Sequence, residues 1–264
     1  MRSFKAEVEH TAASIKGNVS IVVKTTDETI EINSKKKVPA ASTIKIPILM
    51  EAFRQVEIGE LDFDEKVDIP SHKKVGGDGV LKLLNNSLSL SILDLMKLMI
   101  VVSDNTASNL VIDRLGFSNI NNLCEKLDCT DTRLNRYFMD FEAIKAGVDN
   151  ATSASDMVQF FSEIKESQLL SRKSCQSIYN ILKEQQFASG LPAYQKDGDL
   201  EIANKPGMLP GVQHDVGIFT YNSETVYAAV LLSELDDEEA GRRVIADMGR
   251  SIMEFIKKKR IKNT

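Results

Sequence analysis

Ser42 and Lys45 lie three residues apart, directly before an apolar run at residues 46–50. If Ser42 opens a helix, the two side chains lie one turn apart on the same face, within contact distance. A serine hydroxyl becomes a nucleophile when a base takes its proton, and a lysine is such a base where burial or nearby cations hold it neutral. The unpaired N–H groups at the start of a helix, including that of Ser42, can hold a developing oxyanion. The pair therefore indicates nucleophilic catalysis.

The Ser-x-x-Lys spacing alone is a weak signal. It occurs at four places in the chain, which start at Ser34, Ser42, Ser71 and Ser162. Only Ser42 precedes an apolar run that is typical of a buried helix. Ser34 and Ser71 lead into lysine-rich loops, and Ser162 lies within a charged helix. An ordinary helix N-cap serine is the other interpretation of Ser42.

Two further motifs follow in the chain. Ser103-Asp104-Asn105 ends a predicted buried helix, and Lys205-Pro206-Gly207 comes just after a strand predicted over residues 201–204. Lys-x-Gly also occurs at three other lysines, but only Lys205 lies at a strand that another strand follows. The order of the three motifs is therefore more specific than any one of them.

Together these motifs resemble the signature of class A β-lactamases and the related penicillin-binding proteins. The resemblance covers nearly the whole chain and includes the flanking segments 102–110 and 132–136. It implies that Ser42 is the nucleophile and Lys45 its proton partner, with Ser103 relaying a proton to the leaving nitrogen. It also implies an oxyanion hole formed by the N–H groups of Ser42 and Met208.

The resemblance assigns binding roles as well. Lys205 would hold Ser103 in place and add positive potential for an anionic substrate, while Asn105 would position Lys45 or the substrate amide. Gly207 fits a backbone that substrate must approach closely. No metal or organic cofactor is implied. The expected partner is a small β-lactam or a related acyl compound.

One departure from the family pattern concerns the substrate carboxylate. The family places a threonine or serine between the lysine and the glycine, and Pro206 has no group there that can donate a hydrogen bond. His214 lies about where many class A enzymes carry an arginine for that carboxylate. We predict a substrate-binding role for His214, with a purely structural histidine as the alternative.

The other departure concerns turnover. The family's glutamate, two residues after the arginine of the irregular loop, corresponds here to Phe138, because the arginine corresponds to Arg136. Phenylalanine cannot act as a base. Of the nearest carboxylates we favour Glu142 over Asp140 for activating the deacylating water. The alternative is that both are solvated and deacylation is slow or absent. The usual aspartate partner of the arginine corresponds to Ala151, which predicts that this loop is held differently.

Three functions remain open on the sequence. The first is a β-lactamase-like serine hydrolase that opens the β-lactam amide through an acyl-Ser42 intermediate, with atypical deacylation. The second is a peptidase or esterase of the penicillin-binding group. The third is a penicillin-binding sensor that forms a stable adduct.

Hydrophobic periodicity predicts the elements that position these residues. The predicted helices cover about residues 3–15, 42–59, 88–102, 106–115, 118–127, 153–164, 171–185 and 237–258. The predicted strands cover 19–23, 29–32, 201–204, 215–220 and 225–232. Residues 130–154 have no clean period, and a long irregular segment inside a compact domain is usually functional.

This order predicts an α+β fold with one antiparallel sheet built from both chain ends and flanked by helices. We expect a single β-lactamase-like domain over residues 1–264, with an α/β subdomain at about 1–40 plus 190–264 and an inserted all-helical subdomain at about 41–189. A chain of 264 residues with 42% hydrophobic content can bury such a core.

Composition excludes several classes of partner. The net charge of −5 comes without a basic stripe, so we expect no nucleic acid partner. The most apolar segment, 88–102, is shorter than a membrane span and carries two charges. The first seven residues lack the apolar core of a secretory signal, so we expect a cytoplasmic monomer, or an exported protein whose signal has been removed. Three scattered cysteines indicate neither a disulfide framework nor a zinc site.

Overall fold

The computed structural model describes residues 3–196, 198 and 200–263, with the side chains of residues 260–263 left out. Met1 and Arg2, at the start of the segment assessed for a secretory signal, lie outside the described residues. The helices are α1 Phe4–Ala12, α2 Lys45–Glu57, α3 Ile92–Val101, α4 Asn105–Leu115, α5 Phe117–Lys126, α6 Phe141–Lys145, α7 Ala154–Glu166, α8 Arg172–Lys183 and α9 Glu238–Asn263. The strands are β1 Asn18–Lys24, β2 Thr29–Ile32, β3 Val38–Pro39, β4 Lys66–Asp68, β5 Ser89–Ser91, β6 Ala151–Thr152, β7 Leu200–Leu209, β8 Val212–Tyr221 and β9 Glu224–Ser233.

Five of these strands form one antiparallel sheet in the order β2-β1-β9-β8-β7. Its centre joins the two parts of the chain, since Asn18 in β1 pairs with Ser233 in β9. The predicted α+β fold, with an antiparallel sheet from both chain ends and helices on its faces, is confirmed. The division into two subdomains stays an interpretation.

Both faces of the sheet are covered, which explains why its strands are apolar on both sides. In β1, Ile21 and Val23 point into a cluster with α1 and α9, whereas Val22 between them points into the larger cluster that contains the other helices. This alternation is the two-residue period of a strand. On the first face Phe4 stacks on Phe255 with ring centroids 4.1 Å apart, which fixes α1 against α9.

Side-chain caps explain where several helices begin. Ser91, Asp104, Ser153 and Ser171 each accept a hydrogen bond from a backbone N–H in the first turn of the helix that follows. Such a cap satisfies one of the orphan donors at a helix start and is worth about 1 kcal/mol. The Ser91 cap also explains why α3 starts at Ile92 and not near residue 88 as predicted, because Ser89–Ser91 pairs with Lys66–Asp68 as a short strand.

Two further differences from the predicted elements affect the candidate site. The helix predicted to start at Ser42 is divided into a 3₁₀ segment, Ala41–Ile44, and α2. Lys205, Pro206 and Gly207 lie within β7 and not after it, so the predicted end of that strand at residue 204 was wrong. Strand β7 is at the edge of the sheet, the position where a proline without an N–H is tolerated.

Within the described part of the chain, no helix combines the length and the apolar character needed to cross a membrane.

Candidate active site

Ser42 lies in the 3₁₀ segment with its hydroxyl at the centre of a buried polar cluster. No side-chain capping bond involves Ser42, so the N-cap interpretation of this serine was wrong. Its Oγ accepts a hydrogen bond of 3.0 Å from the Ser103 hydroxyl. The sequence predicts direct contact between Lys45 and Ser42, but no hydrogen bond joins the two side chains in the described part of the chain, and Ser103 connects them.

Lys45 is fully buried in the first turn of α2. Its Nζ lies 2.7 Å from Ser103 O, 3.0 Å from Ser103 Oγ and 3.0 Å from Asn105 Oδ1. Burial and the neighbouring Lys205 lower the pKa of the Lys45 amine well below its ordinary value. In its neutral form the amine has two N–H groups and a lone pair, so Lys45 can donate to Ser103 O and Asn105 Oδ1 and accept the proton of the Ser103 hydroxyl.

Lys205 approaches Ser103 from the sheet. Its Nζ donates to Ser103 Oγ at 3.1 Å and to the Pro206 carbonyl at 3.0 Å. Burial lowers the pKa of Lys205 to about 7, a shift that the carboxylates of Asp215 and Asp78 partly offset. Ser103 Oγ therefore has three polar neighbours, which its one proton and two lone pairs can all satisfy. This hydroxyl connects the nucleophile with two amines.

The backbone around Ser103 is held in an uncommon conformation. Ser103 has φ +54°, in the left-handed region that few non-glycine residues adopt. The next residue, Asp104, fixes this bend, because its side chain accepts from Ala107 N in α4 and from Val80 N and Leu81 N in the facing loop. Ser103 is thereby aimed between the two lysines.

A glycine-rich segment packs closely on this bend. Gly79 has φ +104°, and a Cβ added there would lie 2.3 Å from the Asp104 carboxyl carbon. Gly77 has φ +73°, and its Cβ would lie 2.4 Å from Asn105 Nδ2. This glycine-rich segment, residues 76–79, is therefore a closely packed wall of the site. It carries Asp78, whose proximity to the site the sequence interpretation missed.

The cluster lies at the floor of a pocket of about 520 Å³. Much of the pocket lining is apolar. It includes Phe138, Met139, Phe141, Ile144 and Met208. The charged residues among the described residues that line it are Asp78, Arg136 and Glu238. A pocket of this size holds a drug-sized ligand.

The irregular segment before α7 closes one side of the pocket. Arg136 pairs with Asp149, with Nη2 2.7 Å from Oδ1, which supplies the partner that Ala151 cannot. Asn109 in α4 binds the backbone of Phe138 twice: its Oδ1 accepts from Phe138 N at 2.8 Å, and its Nδ2 donates to Phe138 O at 3.1 Å. The Phe138 ring is thereby held beside Lys45, whose Nζ lies 4.4 Å from the ring centroid.

The two carboxylates considered as deacylating bases lie away from this cluster. Glu142 is 84% exposed in its side chain and pairs with Lys145 at 2.7 Å. Asp140 caps α6, with Oδ1 accepting from Ala143 N at 3.0 Å. Neither lines the pocket.

His214 is also outside the pocket. It is buried in β8, where Nε2 lies 2.8 Å from the Pro39 carbonyl and Nδ1 accepts from Leu232 N at 3.1 Å. Both ring nitrogens are thus used by the backbone, and burial lowers the pKa of the imidazole. These contacts favour the structural alternative over carboxylate binding.

Gly207 and Met208 lie where strand β7 meets the 3₁₀ segment. A Cβ added at Gly207 would lie 3.0 Å from Ser42 N, so the absence of a side chain permits this approach. Met208 is 41% exposed and lines the pocket.

The structure thus brings together most of the predicted site residues, namely Ser42, Lys45, Ser103, Asn105, Lys205, Gly207 and Met208. It leaves Glu142 and His214 apart from them. Among the described residues, no cluster of histidine, cysteine, aspartate and glutamate suits a metal ion.

Comparisons with known proteins agree with the motifs. The sequence profile described as "Beta-lactamase enzyme family" matches residues 3–256. The β-lactamase VEB-1 of Pseudomonas aeruginosa is 22% identical over 256 residues, which cover 88% of this chain and 82% of that protein. The structure of the β-lactamase from Sphaerobacter thermophilus DSM 20745 matches with a TM-score of 0.88 and 29% identity, covering 95% of each chain. A mutant of PBP-A, in an acyl-enzyme complex with penicillin G, shares the fold with a TM-score of 0.87, 24% identity and coverage of 97% of this chain and 96% of that one.

Proposed function

Because the chain belongs to the β-lactamase enzyme family, we propose that it is a serine hydrolase acylated on Ser42 by β-lactams or related acyl compounds. The observation that carries this proposal is the buried hydrogen-bonded connection from Ser42 through Ser103 to two lysines. Such a connection gives a hydroxyl at the floor of a pocket a path for its proton.

Acylation then proceeds as follows. Ser42 Oγ attacks the amide carbonyl while its proton passes to Ser103, whose own proton passes to neutral Lys45. The N–H groups of Ser42 and Met208 hold the tetrahedral oxyanion. When the amide C–N bond breaks, the proton returns through Ser103 to the leaving nitrogen. Asn105 positions Lys45 through its Oδ1, and Lys205 holds the Ser103 hydroxyl.

Among the residues that the structure describes, none is an evident base for deacylation near Ser42. Phe138 occupies the place where the family resemblance expects a glutamate, and Glu142 and Asp140 have other partners. We therefore propose a long-lived acyl-enzyme, which favours the penicillin-binding interpretation over efficient β-lactam turnover. A general base at Glu142 is the alternative. An esterase or peptidase would be distinguished by a different acyl donor that clears rapidly from Ser42.

The test is intact-mass spectrometry of the protein mixed with benzylpenicillin or a cephalosporin and followed over time. We expect the mass of one acyl group to appear on Ser42 and to persist. In Ser42→Ala the adduct should be lost while the protein stays folded. The matched control is Ser162→Ala, since Ser162 begins another Ser-x-x-Lys sequence but lies in α7 and binds Lys24 Nζ at 3.2 Å.

Two outcomes would contradict this proposal. An adduct that persists in Ser42→Ala would place the nucleophile elsewhere. Rapid clearance of the wild-type adduct would refute the long-lived intermediate. It would favour the β-lactamase interpretation instead, with a deacylating base still to be identified.

A further inference from the structure

Asp78 is an exposed carboxylate that lines the pocket and has no close partner for its side chain among the described residues. Arg136 is paired with Asp149, and Glu238 Oε1 accepts from Gly211 N at 2.8 Å. The exposed side chain of Asp78, by contrast, has no hydrogen bond or ion pair with the part of the chain that the structure describes. Its backbone carbonyl accepts from Asn105 N at 3.2 Å, which fixes the residue beside the site.

The field of this carboxylate reaches the floor of the pocket. Asp78 raises the pKa of Lys45 and of Lys205, against the larger lowering by burial. A substrate group bound near the two lysines is therefore within range of the same negative charge. Burial disfavours the positive charge on both amines, since it lowers the pKa of Lys45 well below its ordinary value and that of Lys205 to about 7.

Dedicated carboxylate donors are missing where the family resemblance would place them. Pro206 has no side-chain donor, and both nitrogens of His214 are used by backbone groups. The pocket lining includes apolar side chains, with Phe141 and Met208 among the exposed ones. Without those two donors, a carboxylate brought into this pocket recovers less of the hydration that it loses.

We propose that Asp78 makes the site select neutral or cationic acyl donors over donors with a carboxylate near the scissile bond. This selectivity rests on the proposed acylation of Ser42. In that step the Ser42 Oγ–acyl bond forms, the donor's C–N or C–O bond breaks, and the Ser42 proton leaves with the departing group. Asp78 acts on this reaction by its charge and is not required for any proton transfer.

The test uses three donors that share one β-lactam and differ in charge. They are benzylpenicillin, its methyl ester and its 2-(diethylamino)ethyl ester, which carry about −1, 0 and +1 charge at pH 7. The second-order rate constant for acylation of Ser42 is measured by intact mass for wild type and Asp78→Asn. The matched control is Asp64→Asn, which removes one exposed carboxylate outside the pocket lining.

We expect Asp78→Asn to speed acylation by benzylpenicillin about three- to fivefold and to slow acylation by the cationic ester by a similar factor. The methyl ester should change by less than about twofold, and the differences should shrink in 0.5 M salt. Asp64→Asn should change none of the three. The asparagine keeps the backbone bond to Asn105, so the variant is expected to fold, which thermal unfolding verifies.

Equal changes for all three donors, or none, would overturn the selectivity while leaving the acylation of Ser42 in place. Failure of every donor to acylate wild-type Ser42 would instead refute the proposed function, and the selectivity with it.

Discussion

At the scale of single residues, Phe138 affects both halves of the proposed reaction. Its ring lies 4.4 Å from Lys45 Nζ, where a carboxylate would hold the lysine charged. Without that carboxylate, burial dominates and the pKa of Lys45 stays low. The same side chain thus keeps Lys45 available as a proton acceptor for acylation and leaves the acyl-enzyme without a nearby base.

Phe138→Glu should therefore shorten the lifetime of the acyl-enzyme, by about 10²-fold, because a positioned general base is worth roughly 10²–10⁴. It should also slow acylation, since the new carboxylate raises the pKa of Lys45. Stopped-flow acylation and the decay of the adduct by intact mass measure the two effects.

Phe138→Gln is the control for the loss of the ring, and it should not shorten the adduct lifetime to the same extent. Glu142→Gln should leave the lifetime unchanged, given the exposed pairing of Glu142 with Lys145. A longer lifetime in Glu142→Gln would reinstate Glu142 as the base.

At the scale of elements, the site depends on how tightly the glycine-rich segment packs against the start of α4. Asp104 both caps that helix and accepts from Val80 N and Leu81 N. The contact leaves no room for a side chain at Gly79. The position of Ser103 is therefore set jointly by a helix start and by a loop more than twenty residues earlier.

Gly79→Ala should lower the free energy of unfolding by about 2–4 kcal/mol, because it adds both a strained φ and a clash with the Asp104 backbone and carboxyl. Gly59→Ala is the matched control. Gly59 also has positive φ, +75°, but a Cβ there meets nothing within 4 Å, so only the conformational cost of about 1 kcal/mol remains. Urea unfolding of both variants measures the difference, and equal losses would contradict the packing role.

The sequence anticipated some of this arrangement for physical reasons. Ser42, Lys45, Ser103 and Lys205 were predictable because the order of their motifs is specific and each has a chemical role. The extent of β7 was not, since local propensity places a break at Pro206 and only the edge position in the sheet removes it. The burial of His214 and the pairing of Arg136 with Asp149 depend on tertiary contacts, which a single sequence does not encode locally.

At the scale of the whole molecule, the site places two amines in the interior of a chain that must still fold. Lys45 and Lys205 are both fully buried, and burial lowers both pKa values. A buried amine costs stability as long as it is charged. Sites built for function commonly carry such a cost.

The pH dependence of the free energy of unfolding should reveal the cost of burying these charged amines. Lys205 has a pKa of about 7 in the folded protein, below its ordinary 10.5. Between these two pH values the unfolded chain binds more protons than the folded protein, so Lys205 makes the free energy of unfolding rise with pH. The destabilisation caused by burying the charged amine is therefore largest below pH 7. Lys205→Met should therefore be more stable than wild type at pH 6.5, by about 1–3 kcal/mol.

The stability advantage of Lys205→Met over wild type should be smaller at pH 9 than at pH 6.5, as measured by urea unfolding at each pH. Lys5→Met, on the surface of α1, is the control and should shift stability by no more than about 0.5 kcal/mol at any pH. An advantage of Lys205→Met that does not vary with pH would contradict the proton linkage and point to packing alone.

The pairing of β1 with β9 has a consequence for how the protein is made. During synthesis β1 emerges long before β9, the neighbour that covers one of its edges from Asn18 opposite Ser233 to Lys24 opposite Tyr227. Until then its apolar residues Ile21, Val22 and Val23 have an open edge available to other chains. Such distant pairing gives the sheet a high contact order and delays its completion. Nascent chains of this protein are thus most vulnerable to aggregation while the helices form and the last strands are still being synthesised.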